Sequence, residues 1–190
     1  MKRAAWWDTV AAHAPADLVF VDESGANVKM TRAYARAPRG ERAVGRVPRN
    51  HGTATTLLAA LTPDGLRATA TQLGGVTTAS FAAYVRDVLC PALRAGQTVV
   101  LDNLSAHKSA PVREAIAAAG CAVLFLPTYS PDFSPIEFAW AHVKAALRAA
   151  GARTQEALEA AIAAAFPGVT AAHARAYFRH CGYPLAQCER

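Results

Sequence analysis

The chain is poor in the residues that make covalent or metal staples: its four cysteines, Cys90, Cys121, Cys181 and Cys188, include no C-x-x-C pair. That spacing excludes a zinc ribbon or a dithiol redox centre and leaves plain thiols. Long apolar runs are also missing, and none follows the basic start MKRAAWWDTV. No membrane span and no secretory signal are predicted, so a cytoplasmic protein is the default reading. Internal repeats are absent. Charged residues are scarce, at 18% of 190, whereas 53% are hydrophobic. This composition supplies a sizeable core, argues against disorder and suits one domain.

Acids are scarcest in one place. Between Gly25 and Thr55, Glu41 is the one acid against seven cations: Lys29, Arg32, Arg36, Arg39, Arg42, Arg46 and Arg49. The segment's surplus of +6 equals the net charge of the whole chain. Arginine dominates it and is interleaved with Tyr34, Pro38, Gly40, Gly45 and Pro48. Planar, permanently charged guanidinium groups on a chain broken by glycine and proline predict a flexible arm that grips phosphates. The plainer alternative is a solvated, charged β-hairpin.

Periodicity divides the chain. Residues 1–14 read as a short N-terminal remnant or linker helix with Trp6, Trp7 and Val10 on its apolar side. Residues 17–22 read as a strand, Val28–Ala35 as a second extended run, and 55–61 and 68–73 as strands joined by the turn Thr62-Pro63-Asp64-Gly65. From Thr77 helices alternate with strands, which implies parallel connections. A helix capped by Thr77 or Thr78 runs to a kink at Pro91; a strand follows over 97–102, a helix over 109–119 stopped by Gly120, and a strand over 121–126. A proline-rich loop, 127–135, delivers a helix to about Ala150 that buries Ile136, Trp140, Val143 and Leu147. Two more helices are predicted over 154–166 and 170–181, and a tail over 184–190.

Three carboxylates stand at critical points of this pattern. Asp22 in LVFVDES and Asp102 in TVVLDN close buried strands, and Glu137 in YSPDFSPIEFAW opens a helix, with 34 residues separating the last two. An acid at the end of a buried strand costs free energy unless it finds a partner. Hard divalent cations, whose ligands are carboxylate and water oxygens, are the partners that three such acids suit. Each acid also has a plainer reading: Asp22 and Asp102 as turn residues, Glu137 as the closing half of a capping box with Ser134. Asp132 rivals Glu137 as third ligand, while strand alternation turns Glu23 away from Asp22.

Strands followed by helix, strand, helix, strand and helix, with acids on the first strand, the fourth and the last core helix, resemble the RNase H-like fold: α/β, with a central mixed five-stranded sheet flanked by helices. The segments VFVDESGAN, RAPRGER, VVLDNLSAHKS and FLPTYSPDFSPIEFAWAHVKAALR resemble the DDE catalytic domain of bacterial insertion-sequence transposases related to mariner. The resemblance covers roughly residues 15–183, and the family shares the 34-residue spacing of the last two acids. It implies that Asp22, Asp102 and Glu137 bind two Mg²⁺, with Mn²⁺ as a substitute, and cut and join DNA strands at element ends. It further implies that His107 and Lys108 contact DNA or the scissile phosphate, that the active complex is a homo-oligomer, and that recognition uses an upstream helix-turn-helix module. Ser134 departs from the family, which commonly has asparagine there. A different RNase H-like nuclease, such as a ribonuclease or resolvase, and a catalytically silent DNA-binding remnant are the alternative readings.

Overall fold

The computed structural model describes residues 3–185. Cys188 and most of the predicted tail lie outside the described residues. Five strands, β1 (Leu18–Ala26), β2 (Thr55–Thr62), β3 (Gly65–Leu73), β4 (Thr98–Leu101) and β5 (Ala122–Phe125), form one sheet in the order β3-β2-β1-β4-β5. The pairs β1–β2 and β2–β3 are antiparallel, whereas β1–β4 and β4–β5 are parallel. The predicted mixed five-stranded sheet is therefore present.

Strand β1 runs four residues past its predicted end because β2 pairs with it continuously from Phe20↔Leu61 to Ala26↔Thr55. On its other side β4 pairs only from Leu18↔Thr98 to Phe20↔Val100. Beyond Phe20 that edge of the central strand is open, and Asp22 lies there. The extended run expected over Val28–Ala35 forms no strand. The chain turns away from the sheet at Val28–Lys29, directly after the last β1–β2 pair, so the run continues no ladder. Its root is held instead by the Arg153 guanidinium, which donates to the carbonyls of Val28 and Met30 at 3.1 and 3.0 Å.

Helix α1 (Ala4–Val10) precedes the sheet. Helix α2 (Thr78–Tyr84) starts at a reciprocal Thr77–Ser80 capping box, loosens into a π-turn over Val85–Leu89, and ends as α3 (Cys90–Ala92). Pro91, with no N–H to return to the preceding turn, accounts for the break. Helices α4 (Ala110–Ala118), α5 (Ile136–Ala150), α6 (Gln155–Ala165) and α7 (Ala171–His180) follow, with Gly151 in the left-handed region at φ 59° closing α5. Thr154 and Thr170 cap the last two through their hydroxyls.

Strand alternation sorts the core into two layers. Leu18 and Phe20, with Leu57, Ala59 and Leu61, pack against α1, α5, α6 and α7. Val19 and Val21, with Leu58, Ala60, Val99 and Leu101, pack against α2 and α4. No single helix among the described residues is long and apolar enough to cross a membrane. The pair Gln155–Gly168 and Ala171–His180 passes that test only together, across a 73° bend, and its Leu158, Ile162, Ala174 and Phe178 are buried in the first layer.

Helix α1 belongs to that layer too. Trp6 is fully buried, and its indole N–H donates to the Tyr183 hydroxyl at 3.0 Å. Trp7 is half-exposed but lies edge-on to Phe133. Next to it, Gly182 adopts φ 89°, and a Cβ there would stand 2.7 Å from Trp7 Cη2. Gly182→Ala therefore meets both backbone strain and a clash. It is expected to lower the unfolding free energy by about 1–3 kcal/mol in urea titration, with an unchanged m-value.

Candidate active site

The open edge of β1 brings the predicted acids together. Asp22 and Asp102 each lie two residues past the last parallel pair, Phe20↔Val100, on the same side of the sheet's end. The third acid arrives on the first turn of α5. All three line one cleft of about 350 Å³, whose other wall is the loop from Leu126 to Ser134.

Each carboxylate is held differently. Trp140, one turn after Glu137, donates its indole N–H to Asp22 Oδ2 at 3.1 Å. Burial pushes the Asp22 carboxyl up to about 7, aided by the charges of Glu137, Glu23 and Asp102 and opposed by a backbone hydrogen bond at Glu23. Asp102 Oδ1 accepts the Leu104 amide at 2.9 Å and faces His107 Nδ1 at 2.5 Å, while Oδ2 has no protein partner among the described residues. Partial burial pushes Asp102 upward, but those two hydrogen bonds and the charges of His107 and Lys108 outweigh it and hold the acid below the usual range.

Glu137 is exposed, and the expected capping box with Ser134 does not form. The N-cap falls on Pro135, one residue later than expected, so Glu137 occupies the second helical position rather than the third. From there it does not close a box, and its carboxylate stays in the cleft.

His107 corrects a prediction. Its side chain has 0% exposure and so presents nothing to DNA in this structure. Under the Phe81 ring, 4.2 Å between centroids, it bridges Asp102 and Glu23, with Nε2 at 3.1 Å from Glu23 Oε2. Burial works against its charged form, yet the hydrogen bonds and charges of Asp102 and Glu23 prevail and push it up to about 9. Glu23 does face away from Asp22, as strand alternation requires, but it joins the site through this imidazole. Sequence reasoning missed that link, and missed Trp140 as a donor. The available signals were the acid next to Asp22, and the indole three residues after Glu137 on the same helical face.

The remaining predicted residues are plainly located. Asp132 is outside the cleft lining, its carboxylate held by both Arg3 nitrogens at 2.8 and 2.6 Å. Lys108 is exposed, with Nζ 5.8 Å from the centre of the Phe125 ring. Lys29, Arg32, Arg36, Arg39, Arg42, Arg46 and Arg49 are all exposed on a segment without helix or strand, and none forms an ion pair among the described residues. As the side chains stand, no three His, Cys, Asp or Glu residues among the described ones are grouped around a single metal position.

An RNase H-like sheet with one acid within its central strand, one just past the adjacent parallel strand and one on the first turn of α5 defines the class: nucleases that gather carboxylates on one sheet. The chain belongs to the DDE superfamily endonucleases, whose family model matches residues 17–159. Among solved structures it is similar to the Mos1 strand transfer complex, at 18% identity and TM-score 0.67 over 87% of this chain and 51% of that one. A pre-cleavage Mos1 transpososome matches at 16% identity and TM-score 0.66 over 94% and 56%, and the catalytic domain of Mos1 mariner transposase at 17% and 0.58 over 88% and 76%. The chain spans about half the length of the first two. A comparison with curated proteins gives no match.

The raised Asp22 carboxyl makes a pH prediction. A carboxyl near 7 in the folded chain, against about 3.9 unfolded, destabilises the fold as it ionises. The penalty is absent below pH 4, grows as pH rises, and is complete above about 7. Asp22→Asn keeps an acceptor for Trp140 and loses the charge. In chelator, this variant is expected to be more stable than the parent by on the order of 2 kcal/mol at pH 8, with the difference vanishing near pH 4, by chemical unfolding at both pH values.

Proposed function

We propose that the chain is the catalytic domain, over residues 15–183, of a DDE transposase that cleaves a phosphodiester at element ends and joins the new 3′-hydroxyl to target DNA. The observation that carries this reading is the convergence of Asp22, Asp102 and Glu137 on one cleft in a chain of this family. Related structures include Mos1 paired-end complexes with Mg and with Mn.

The donor set suits such ions. Three carboxylates offer hard oxygens, and Asp22 is destabilised in its ionised form by the other acids, a repulsion that a divalent cation relieves. Asp22, Asp102 and Glu137 would hold two Mg²⁺, or Mn²⁺, and the free Oδ2 of Asp102 and the exposed Glu137 carboxylate are the groups able to close in. When bound, such ions activate the attacking water or 3′-hydroxyl and stabilise charge on the leaving oxygen. The protein's own part is orientation. Trp140 fixes one oxygen of Asp22, and Leu104 and His107 fix one oxygen of Asp102, so that neither acid must be ordered when substrate arrives.

The arm supplies the affinity. Its seven unpaired cations suit the phosphate backbone, which carries no base sequence. Recognition of the ends then falls to a helix-turn-helix module joined to or assembled with this chain, in a homo-oligomer that pairs two ends. On this reading the chain works in the cytoplasm, where a bacterial element's DNA lies. Strand transfer on paired ends separates this reading from a ribonuclease or resolvase, and cleavage of any kind separates it from a silent remnant.

Two experiments test it. Asp102→Asn and Glu137→Gln are each expected to lower Mg²⁺-dependent DNA cleavage at least a hundredfold, in a gel assay with folding checked by circular dichroism. Near-normal cleavage by either variant would refute the assignment. Replacing Arg36, Arg39 and Arg42 by alanine is expected to weaken binding about equally for all DNA sequences and to flatten the log–log salt dependence by roughly one unit per lost phosphate contact. An unchanged slope means that the arm points away from DNA.

A further inference from the structure

We propose that Tyr129 is a stacking platform for one unpaired nucleobase next to the phosphodiester held at the acid cleft, an inference that rests on the endonuclease reading above. Tyr129 is 94% exposed, and among the described residues its side chain forms no hydrogen bond and no ring contact. It also has φ 54°, in the left-handed region that an aromatic residue rarely adopts. Ala68, at φ 47°, is the other non-glycine residue with positive φ among those described, and it lies at the β-bulge where β3 slips against β2. Tyr129 holds the second position of the turn Thr128–Tyr129, a place where positive φ is called for and glycine or asparagine is the usual occupant. Its ring adds nothing to the core, and its backbone is strained to hold it in water.

The loop around this turn is held from outside. Asn103 Nδ2 donates to the Leu126 carbonyl before Tyr129. Ser130 Oγ donates to the Thr128 carbonyl at 3.3 Å across it. After it, Arg3 holds Ser130 Oγ at 2.9 Å together with the Asp132 carboxylate, and the Tyr183 hydroxyl donates to the Phe133 carbonyl at 2.6 Å. A loop pinned on both flanks keeps a costly conformation that a loose loop would relax. What it keeps is an aromatic face at the wall of the cleft that Asp22, Asp102 and Glu137 also line.

The ligand follows from chemistry. A phosphodiester bound at the carboxylates brings the bases on either side of it to within one nucleotide of that wall. A base inside a duplex has both faces covered, whereas an unpaired or splayed base offers one to a rigid exposed ring, and every base has such a face. Leu104, half-exposed on the same cleft, supplies a second apolar surface there.

The test uses the whole chain and duplexes carrying 2-aminopurine at each position flanking the bond that the parent protein cuts. Tyr129→Asn removes the ring and tolerates positive φ; Tyr129→Phe keeps the ring and loses the hydroxyl. The parent and Tyr129→Phe are expected to quench 2-aminopurine at one position beside the cut and to cleave within about twofold of each other. Tyr129→Asn is expected to lose that quenching and about tenfold or more in cleavage, while its thermal midpoint stays equal or rises. Stability and activity moving apart is a signature that a packing role would not give. The proposal is overturned if Tyr129→Asn retains quenching and rate, if its rate falls only alongside its thermal midpoint, or if Tyr129→Phe loses as much as Tyr129→Asn, which would make the hydroxyl the active part. A parent that neither cleaves nor differs from Asp102→Asn overturns the endonuclease reading and this one with it. Cleavage that depends on Asp102 but not on Tyr129 overturns the stacking role alone.

Discussion

The desolvation of the Asp22 carboxylate at the centre of the sheet sets the terms for every other group around it. A carboxylate within a central strand has lost much of its water, and here two further acids converge on the same cleft. The neighbours divide into those that relieve this and those that aggravate it. Trp140 and the backbone at Glu23 offer hydrogen bonds; Glu137, Glu23 and Asp102 add repulsion, and repulsion with burial prevails. The protein spends stability at one sheet edge, and the fold can carry that cost because both core layers behind it are fully packed.

Asp102, one strand away, is held below the usual carboxylate range by the same physics with the sign reversed. Its partner His107 is buried, but buried between two acids, so the imidazolium form survives and its charge stabilises Asp102. Two adjacent acids are thus shifted in opposite directions, Asp22 upward and Asp102 downward. The difference lies in what the fold delivers to each: a neutral indole to Asp22, a cationic ring to Asp102.

How much of this was legible in the sequence depends on the range of the interaction. Strand ends, helix caps and the spacing of the acids are local or periodic, so the five strands, the capping threonines and the convergence of Asp22, Asp102 and Glu137 could be read from the chain alone. The Val28–Ala35 run could not, because an extended segment becomes a strand only where it joins a ladder, and the chain turns away from the sheet at Val28–Lys29, directly after the last β1–β2 pair. Ser134 and Glu137 matched a capping box in type and spacing, but the start of α5 shifted by one residue, within the uncertainty of any helix boundary. The resemblance assigns His107 to DNA from its place just past Asp102; its partner Glu23 lies 84 residues away and is brought there by the β1–β4 pairing. The positive φ at Tyr129 has no signature in its residue type, and the loop around its turn is held by Arg3 and Tyr183 from opposite ends of the chain.

The charge layout completes the physical picture. A cleft lined by three carboxylates repels a polyanion, so a substrate whose every phosphate is negative gains nothing from approaching it unaided. The compensating charge is concentrated in an arm without secondary structure, rooted through Arg153 beside the C-terminal end of α5, the helix that carries Glu137 on its first turn. Were those cations spread over the helices, they would meet the surface acids Asp64, Glu114, Glu156 and Glu159 and be partly neutralised. On an exposed segment whose one acid is Glu41, they remain unpaired, and a chain of that length reaches well beyond the Debye length of about 8 Å at physiological salt. Under the proposed function, attraction at the arm and repulsion at the acids would act on different stretches of the same polyanion: the arm would hold its flanks, and the cleft would admit the one phosphodiester whose charge a cation offsets.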